Sequence, residues 1–264
     1  TGEGYFAVDN VRGAGIFKSI DAGATWTRLA STNTSDFYYV NDIAVSLTDS
    51  QRIYAATRTG VFRSIDGGAT WTNVLSPNVQ GGCYDLAART DQSKDYLFVA
   101  CGNFQQSGVY RNVDAGGAAT WDNVLTEAGM GRTVLAIAPS NQNVIYALSS
   151  ELSGDYQYGL HAFFRSTASG DANSWVARVR NTDANKFNTA ILSNPASATS
   201  VECKVGTANG YTGQSWYDMA IAVDPLDENR IWVGSIDLLR ADDGGVNWGV
   251  GGFVYPNEGE RRIH

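Results

Sequence analysis

At 264 residues the chain is long enough for one large all-β domain or two ordinary ones. Its 29 glycines, 13 tyrosines and 7 tryptophans beside only 17% charged residues describe many short strands joined by tight turns, and argue against long helices. Nineteen basic against 27 acidic side chains give a formal charge of −8, which repels phosphate backbones and excludes nucleic acid as a partner, and no stretch approaches the roughly 18 apolar residues that span a bilayer.

The chain opens Thr1-Gly2-Glu3-Gly4 without an initiator methionine or an apolar leader, the start of a mature product or an excised fragment. The first strong signal follows an apolar pair and a base, Ile16-Phe17-Lys18: the octapeptide Ser19-Ile20-Asp21-Ala22-Gly23-Ala24-Thr25-Trp26. It returns after Val61-Phe62-Arg63 as Ser64-Ile65-Asp66-Gly67-Gly68-Ala69-Thr70-Trp71. A third copy runs from Asn112-Val113-Asp114 to Thr120-Trp121 with two extra residues. A fourth is degenerate, with Ala168 where the aspartate belongs before Trp175, and a fifth is full length, Ala241-Asp242-Asp243-Gly244-Gly245-Val246-Asn247-Trp248. The tryptophans fall 45, 50, 54 and 73 residues apart, the period of a propeller blade with growing insertions.

Within each period the strand signals recur: an apolar run such as Ile43-Ala44-Val45, a polar turn, a second run such as Ile53-Tyr54-Ala55-Ala56, then Val61-Phe62-Arg63-Ser64 and the repeated turn. Val134–Ala138 with Val144–Ala147, and Met219–Val223 with Arg230–Val233, repeat the first hairpin. Four short strands per unit, A to D, predict an all-β chain of at least five four-stranded antiparallel propeller blades. Residues 1–264 are read as one propeller domain or part of one, with a long insertion at about 181–215 and a segment at 260–264 that begins another blade or closes the first.

The Ser-x-Asp-x-Gly-x-Thr-Trp turn resembles the Asp-box, or bacterial neuraminidase, repeat of sialidases, sortilin-like propellers, xyloglucan-cleaving propellers and large exported bacterial proteins. The opening Thr1–Gly4 and the segment Gln214-Ser215-Trp216-Tyr217-Asp218-Met219 through Asp224-Pro225 are similar to the sortilin-like, surface-sorted members. The resemblance implies a secreted or cell-surface bacterial location within a larger multidomain protein. It implies fold rather than activity, because one propeller architecture serves many functions. Asp21, Asp66, Asp114 and Asp243, with Trp26, Trp71, Trp121 and Trp248, are therefore read as structural: a short carboxylate takes backbone N–H bonds while glycine supplies a positive φ, once per blade.

In a four-stranded meander the A-to-B and C-to-D turns share one end, so the B-to-C loops and D-to-A connections share the other. The long segments 149–159 and 181–215 belong to that second end and carry Tyr156, Tyr158, Tyr211, Trp216 and Tyr217; Phe37, Tyr38 and Tyr39 occupy an earlier D-to-A connection. Flat rings with a polar handle suit sugar faces and protein hot spots, so these residues form the candidate ligand surface. Asp42, Asp85 and Asp218 each precede the apolar run of a strand A. They are the candidate acid and base of a glycoside hydrolase, or else caps that accept local backbone N–H bonds.

His161 and His264 are the two histidines and are far apart, so no zinc spacing exists. The acidic loop Asp224–Asn229 has oxygen donors suited to calcium, but the resemblance requires no metal, and neither metal nor cofactor is assigned. A hairpin centred near Gln92 pairs Leu86 with Phe98 and sets Cys83 opposite Cys101, which predicts a disulfide in an oxidising compartment and leaves Cys203 over. The leading expectation is a non-catalytic recognition or scaffold domain for a glycan or protein ligand. The alternatives are a polysaccharide-cleaving enzyme and a purely structural repeat.

Overall fold

The computed structural model describes residues 2–4, 10–117, 119–184, 191–192, 213–235 and 237–252. Among them are eighteen β-strands and three one-turn 3-10 helices. The chain divides into two compact units, residues 1–103 with 109–123, and residues 104–108 with 124–264.

The first unit begins with a ribbon of β1 (Phe17–Lys18) and β2 (Thr27–Arg28). A four-stranded sheet follows: β3 (Val40–Val45), β4 (Ile53–Thr57), β5 (Gly60–Ser64) and β6 (Thr72–Leu75). Its neighbour contains β7 (Cys83–Ala88), β8 (Leu97–Cys101), β9 (Gly108–Asn112) and β10 (Asp122–Leu125), the last two reaching across the division in sequence. The second unit holds β11 (Met130–Ile137), β12 (Ile145–Glu151), β13 (Leu160–Ser166) and β14 (Val176–Arg180), then β15 (Ala220–Val223), β16 (Ile231–Gly234), β17 (Leu238–Ala241) and β18 (Gly249–Gly252). Each of the four larger sheets is an antiparallel meander with strands in sequence order, the blade of a β-propeller.

The second strand of each blade explains the stacking. In β4 and β8 every residue is buried, both faces included; within the first unit Ala55 of β4 packs with Ile16, Phe37 and Phe62, and Ala56 with Cys83 and Val99. Alternation would leave one face wet; these runs, Ile53-Tyr54-Ala55-Ala56-Thr57 and Leu97-Phe98-Val99-Ala100-Cys101, are apolar apart from the closing Thr57. In the second unit Phe163 stacks on Tyr146 at 5.4 Å and meets Trp248 edge-on at 5.0 Å, inside a core that includes Leu148, Val179 and Ile231.

Two kinds of polar weld join successive blades. The Tyr54 hydroxyl donates 2.8 Å to Asp95 Oδ2 in the next blade's A-to-B turn, and Tyr146 donates 2.7 Å to the Glu228 carbonyl at the matching place. The base near the end of the first two C strands reaches into the next repeat turn: Lys18 Nζ to the Gly67 carbonyl at 3.2 Å, and Arg63 Nη1 to the Ala115 carbonyl at 2.6 Å. Asp95 is 6% exposed and also takes bonds from Ser46, Thr48 and Arg52, so its buried charge is fully coordinated.

The repeat turns dock on the A-to-B turns of their own blades through Gly67 N–H to Gln51, Ala115 N–H to Asp95, Ser169 N–H to Asn143 and Gly244 N–H to Asn229. A-to-B and C-to-D turns thus lie together, and the B-to-C loops and D-to-A connections lie at the other end. The hairpin β7–β8 departs from the expected register: Leu86 pairs with Val99 and Ala87 with Phe98. An irregularity between Cys83 and Asp85 absorbs one residue, so Cys83 still faces Cys101. These two form a disulfide, with Cα atoms 3.9 Å apart.

Candidate functional site

The repeat turns are closed units of local chemistry. In the first, Asp21 Oδ1 accepts Thr25 N–H at 2.8 Å and the Ser19 hydroxyl at 2.7 Å, Oδ2 accepts the Thr25 hydroxyl at 2.5 Å, and the Ser19 oxygen accepts Gly23 N–H at 2.8 Å. The second repeats this through Ser64, Asp66, Gly68 and Thr70. Gly68 sits at φ +95°, and a Cβ there would lie 2.4 Å from Leu29 Cδ1, so only glycine fits. Bonds from Thr25 and Thr70 hold the Asp21 and Asp66 carboxyls down at about 2. Trp71 packs on Phe37 at 5.2 Å and Trp248 is buried, whereas Trp26 is 62% exposed and gives its indole N–H to the Gly23 carbonyl.

The other turns vary the theme. Asp243 accepts the Val246 and Asn247 N–H groups at 2.9 and 3.1 Å, and Asn247 Nδ2 replaces the threonine hydroxyl at 2.8 Å. In the fourth, Ser166 keeps its bonds from Ala168 N–H and Gly170 N–H without an aspartate, and its hydroxyl meets Ser174 Oγ at 2.7 Å. In the third, the two added residues turn Asp114 outward to Lys94 Nζ at 2.8 Å. There Asn112 closes the turn, accepting Asp114 N–H and donating to the Ala119 carbonyl.

The strand A aspartates have separate environments. Asp42 lies on β3; its Oδ1 accepts Ile43 N–H at 2.7 Å, and its Oδ2 accepts Leu86 N–H of the adjoining β7 at 2.8 Å. Burial pushes its carboxyl up, and those two amide bonds oppose the shift. With both oxygens engaged by backbone, Asp42 staples two blades together. Neighbouring Asn41 Nδ2 does the same toward the Cys83 carbonyl at 2.7 Å. Asp85 is half-buried on β7, opposite Ala100. Asp218, in the second unit, is half-buried just before β15, and burial raises its carboxyl against the nearby Arg132 charge.

The aromatic residues converge at the end away from the repeat turns. In the second unit Phe104, from the β8–β9 loop, meets Tyr158 of the β12–β13 loop edge-on at 6.0 Å, and Trp216 of the β14–β15 connection at 6.3 Å. Trp216 adjoins Tyr217 at 5.6 Å, and Tyr217 is 43% exposed. The buried Arg132 donates to the Ser215 and Tyr217 carbonyls at 3.2 and 2.6 Å, and Ser215 N–H donates to the Tyr158 carbonyl at 3.1 Å. The rings are thus fixed by buried backbone bonds. Tyr156 stands half-buried in a 3-10 turn of the same loop. Tyr211, Cys203, His264, most of 181–215 and the segment 260–264 lie outside the described residues. In the first unit the matching aromatics serve packing: Phe37 is buried against Phe62, Tyr38 lies under Arg12 at 4.2 Å and Tyr39 under Arg58 at 3.8 Å.

Sequence reasoning passed over Phe104, although its place in a B-to-C loop was a usable signal. It also passed over a polar node at the same end of the second unit. His161 lies between two carboxylates, Nδ1 2.8 Å from Glu151 Oε2 and Nε2 2.7 Å from Glu127 Oε1. Arg180 straddles Glu127 at 2.5 and 3.1 Å and holds its carboxyl below the usual range, while Asn181 donates to Glu151 at 2.9 Å. The node ties the β10–β11 connection, the tyrosine-bearing β12–β13 loop and the segment after β14 to one another.

Among the described residues no three His, Cys, Asp or Glu side chains are arranged to hold a metal ion. In the acidic loop, Asp224 accepts Leu226 N–H and Arg230 Nη1, and Asp227 accepts Asn229 N–H, so those oxygens already have donors. No helix among the described residues is long and apolar enough to cross a membrane.

No protein-family model matches the chain, and no curated protein matches it in sequence. Among solved structures it is similar to a GH74 xyloglucanase from Xanthomonas campestris, with a TM-score of 0.57 and 15% identity over 89% of this chain and 34% of that one. It is likewise similar to an ancestral GH74 enzyme, with a TM-score of 0.56 and 16% identity over 91% of this chain and 28% of that one. The chain therefore spans about a third of the length of these structures, and the likeness is one of fold.

Proposed function

We propose that this chain is a non-catalytic recognition domain, built on Asp-box blades, of an exported multidomain bacterial protein, and that it binds a glycan through the aromatic end of its second unit. The observation that carries this reading is the Phe104–Tyr158–Trp216–Tyr217 cluster, drawn from three separate connections and pinned by Arg132, with Tyr217 facing solvent. A preorganised aromatic surface of this kind stacks against the C–H face of a sugar ring at small entropic cost. The Asp-box assignment is supported by the shared bonding of the first two turns. Export is supported by the disulfide, which persists in oxidising compartments.

A glycan array followed by calorimetry on the best binder tests the reading. Tyr217→Ala is expected to weaken binding about tenfold or more with the fold intact, in line with the loss of an interface anchor. Unaltered binding by Tyr217→Ala, or protein ligands captured while every glycan fails, counts against it.

A glycoside hydrolase is the second reading, favoured by Asp218, whose raised carboxyl adjoins the aromatic cluster, and by the xyloglucanase activity named for the Xanthomonas protein. Hydrolysis needs a second carboxylate across the scissile bond. Asp42 is a poor partner because both its oxygens accept backbone amides. Release of reducing ends from a bound polysaccharide, abolished by Asp218→Asn, is the result that would favour the enzyme.

A further inference from the structure

The third repeat turn differs from the first two in ways that together make a cavity. In the first and second turns the threonine hydroxyl is spent on the aspartate two strands of the turn share, Thr25 on Asp21 and Thr70 on Asp66. In the third, the two added residues send Asp114 to Lys94, so Thr120 has lost that acceptor. Beside it, between Arg63 of strand β5 and the repeat turn of the following blade, a cavity of about 400 Å³ opens within the first unit. It is lined by Arg63, the apolar Val74 and Leu75, the hydroxyl-bearing Ser76 and Thr120, and Trp121.

Two later members of the Arg63 series have carboxylate partners, Arg165 with Glu228 at 3.6 Å and Arg240 with Asp242 at 2.8 Å, whereas Lys18 and Arg63 each rest on a backbone carbonyl. Among the described residues no carboxylate lies within ion-pair distance of Arg63; one nitrogen is fixed on the Ala115 carbonyl at 2.6 Å. A guanidinium has five N–H donors, so a positioned, half-buried cation lines the cavity with donors to spare.

We propose that this cavity binds a carboxylate-bearing sugar of the hexuronate class, independently of the aromatic end. The carboxylate pairs with Arg63, the ring's C–H face lies on Trp121, and the ring hydroxyls meet Ser76 and Thr120. The volume suits one or two sugar rings. A singly charged, hydroxyl-rich ligand fits better than a phosphate dianion, because the chain as a whole carries −8 and repels concentrated negative charge.

Calorimetric titration of the whole chain with glucuronate and galacturonate, against glucose and galactose, tests the site. Uronates are expected to bind about tenfold or more tightly than their neutral counterparts, the effect of one charge-assisted hydrogen-bonded pair. Arg63→Gln is expected to remove that preference. Ser76→Trp, at the exposed rim, is expected to fill the mouth and abolish binding in a chain that still melts cooperatively; this variant decides the matter if loss of the Ala115 bond makes Arg63→Gln unfold. Tyr217→Ala should leave uronate binding unchanged, which separates this site from the aromatic end. Failure to bind either uronate, equal affinity for the neutral sugars, or full binding by Ser76→Trp overturns the proposal.

Discussion

Asp66 shows how much a single exposed residue does in this fold. Its carboxylate accepts the Thr70 hydroxyl, Thr70 N–H and the Ser64 hydroxyl, and these bonds hold it at about 2, below the ordinary 3.8. A carboxyl depressed in the folded state contributes stability that is complete above its unfolded value and is lost as pH falls through the folded one. Urea midpoints of the wild type and Asp66→Asn should therefore differ most above about pH 4 and converge toward about pH 2. An unchanging difference across that window would mean the carboxylate's charge is irrelevant to the turn. Tyr54 makes a different kind of bond, buried and between blades. Its hydroxyl is pushed well above its ordinary value by burial and by the bond to Asp95. Tyr54→Phe removes one of several donors to a buried carboxylate and is expected to cost about 1–3 kcal/mol in denaturant unfolding. Asp42→Ala leaves Leu86 N–H without its acceptor and is expected to cost a similar amount, about 1–3 kcal/mol.

At the scale of strands and turns, the Cys83–Cys101 bond closes a hairpin of sequence separation 18. Replacing both cysteines with alanine should lower stability by about 2–4 kcal/mol, and reductant should lower the wild type toward the double variant but leave the variant itself unchanged. The hairpins were legible in the sequence because repeated apolar runs and a turn with its own internal bonding declare themselves locally. What escaped was set by interactions with no local trace. The register of β7 on β8 shifted because the irregularity near Tyr84 takes up a residue, which no pattern of Leu86 and Phe98 reveals. Asp114 looked like its counterparts, but two added residues carried its carboxylate to Lys94. Phe104 and the Glu127–His161–Glu151 node come from connections distant in sequence, and only packing brings them together. The aromatic residues Tyr158, Trp216 and Tyr217 were legible because loop position alone assigns them to one end of the blades.

Taken as a whole, the molecule separates its labours by the two ends of its blades. At one end repeated turns and A-to-B loops lock together with the same bonds blade after blade, and buried B strands carry the stacking. At the other, irregular connections gather rings and charges that do not repeat. The proposed ligand surface follows from that division, since a repeated feature serves the fold and a unique one is free to serve a partner. One comparison tests it most directly: ligand affinity and melting temperature measured together for Asp66→Ala and Tyr217→Ala, using the best glycan from the array. The account predicts that Asp66→Ala lowers the melting temperature and binds normally, while Tyr217→Ala melts like the wild type and binds about tenfold more weakly or worse. Normal binding by Tyr217→Ala, or lost binding by a folded Asp66→Ala, would contradict it.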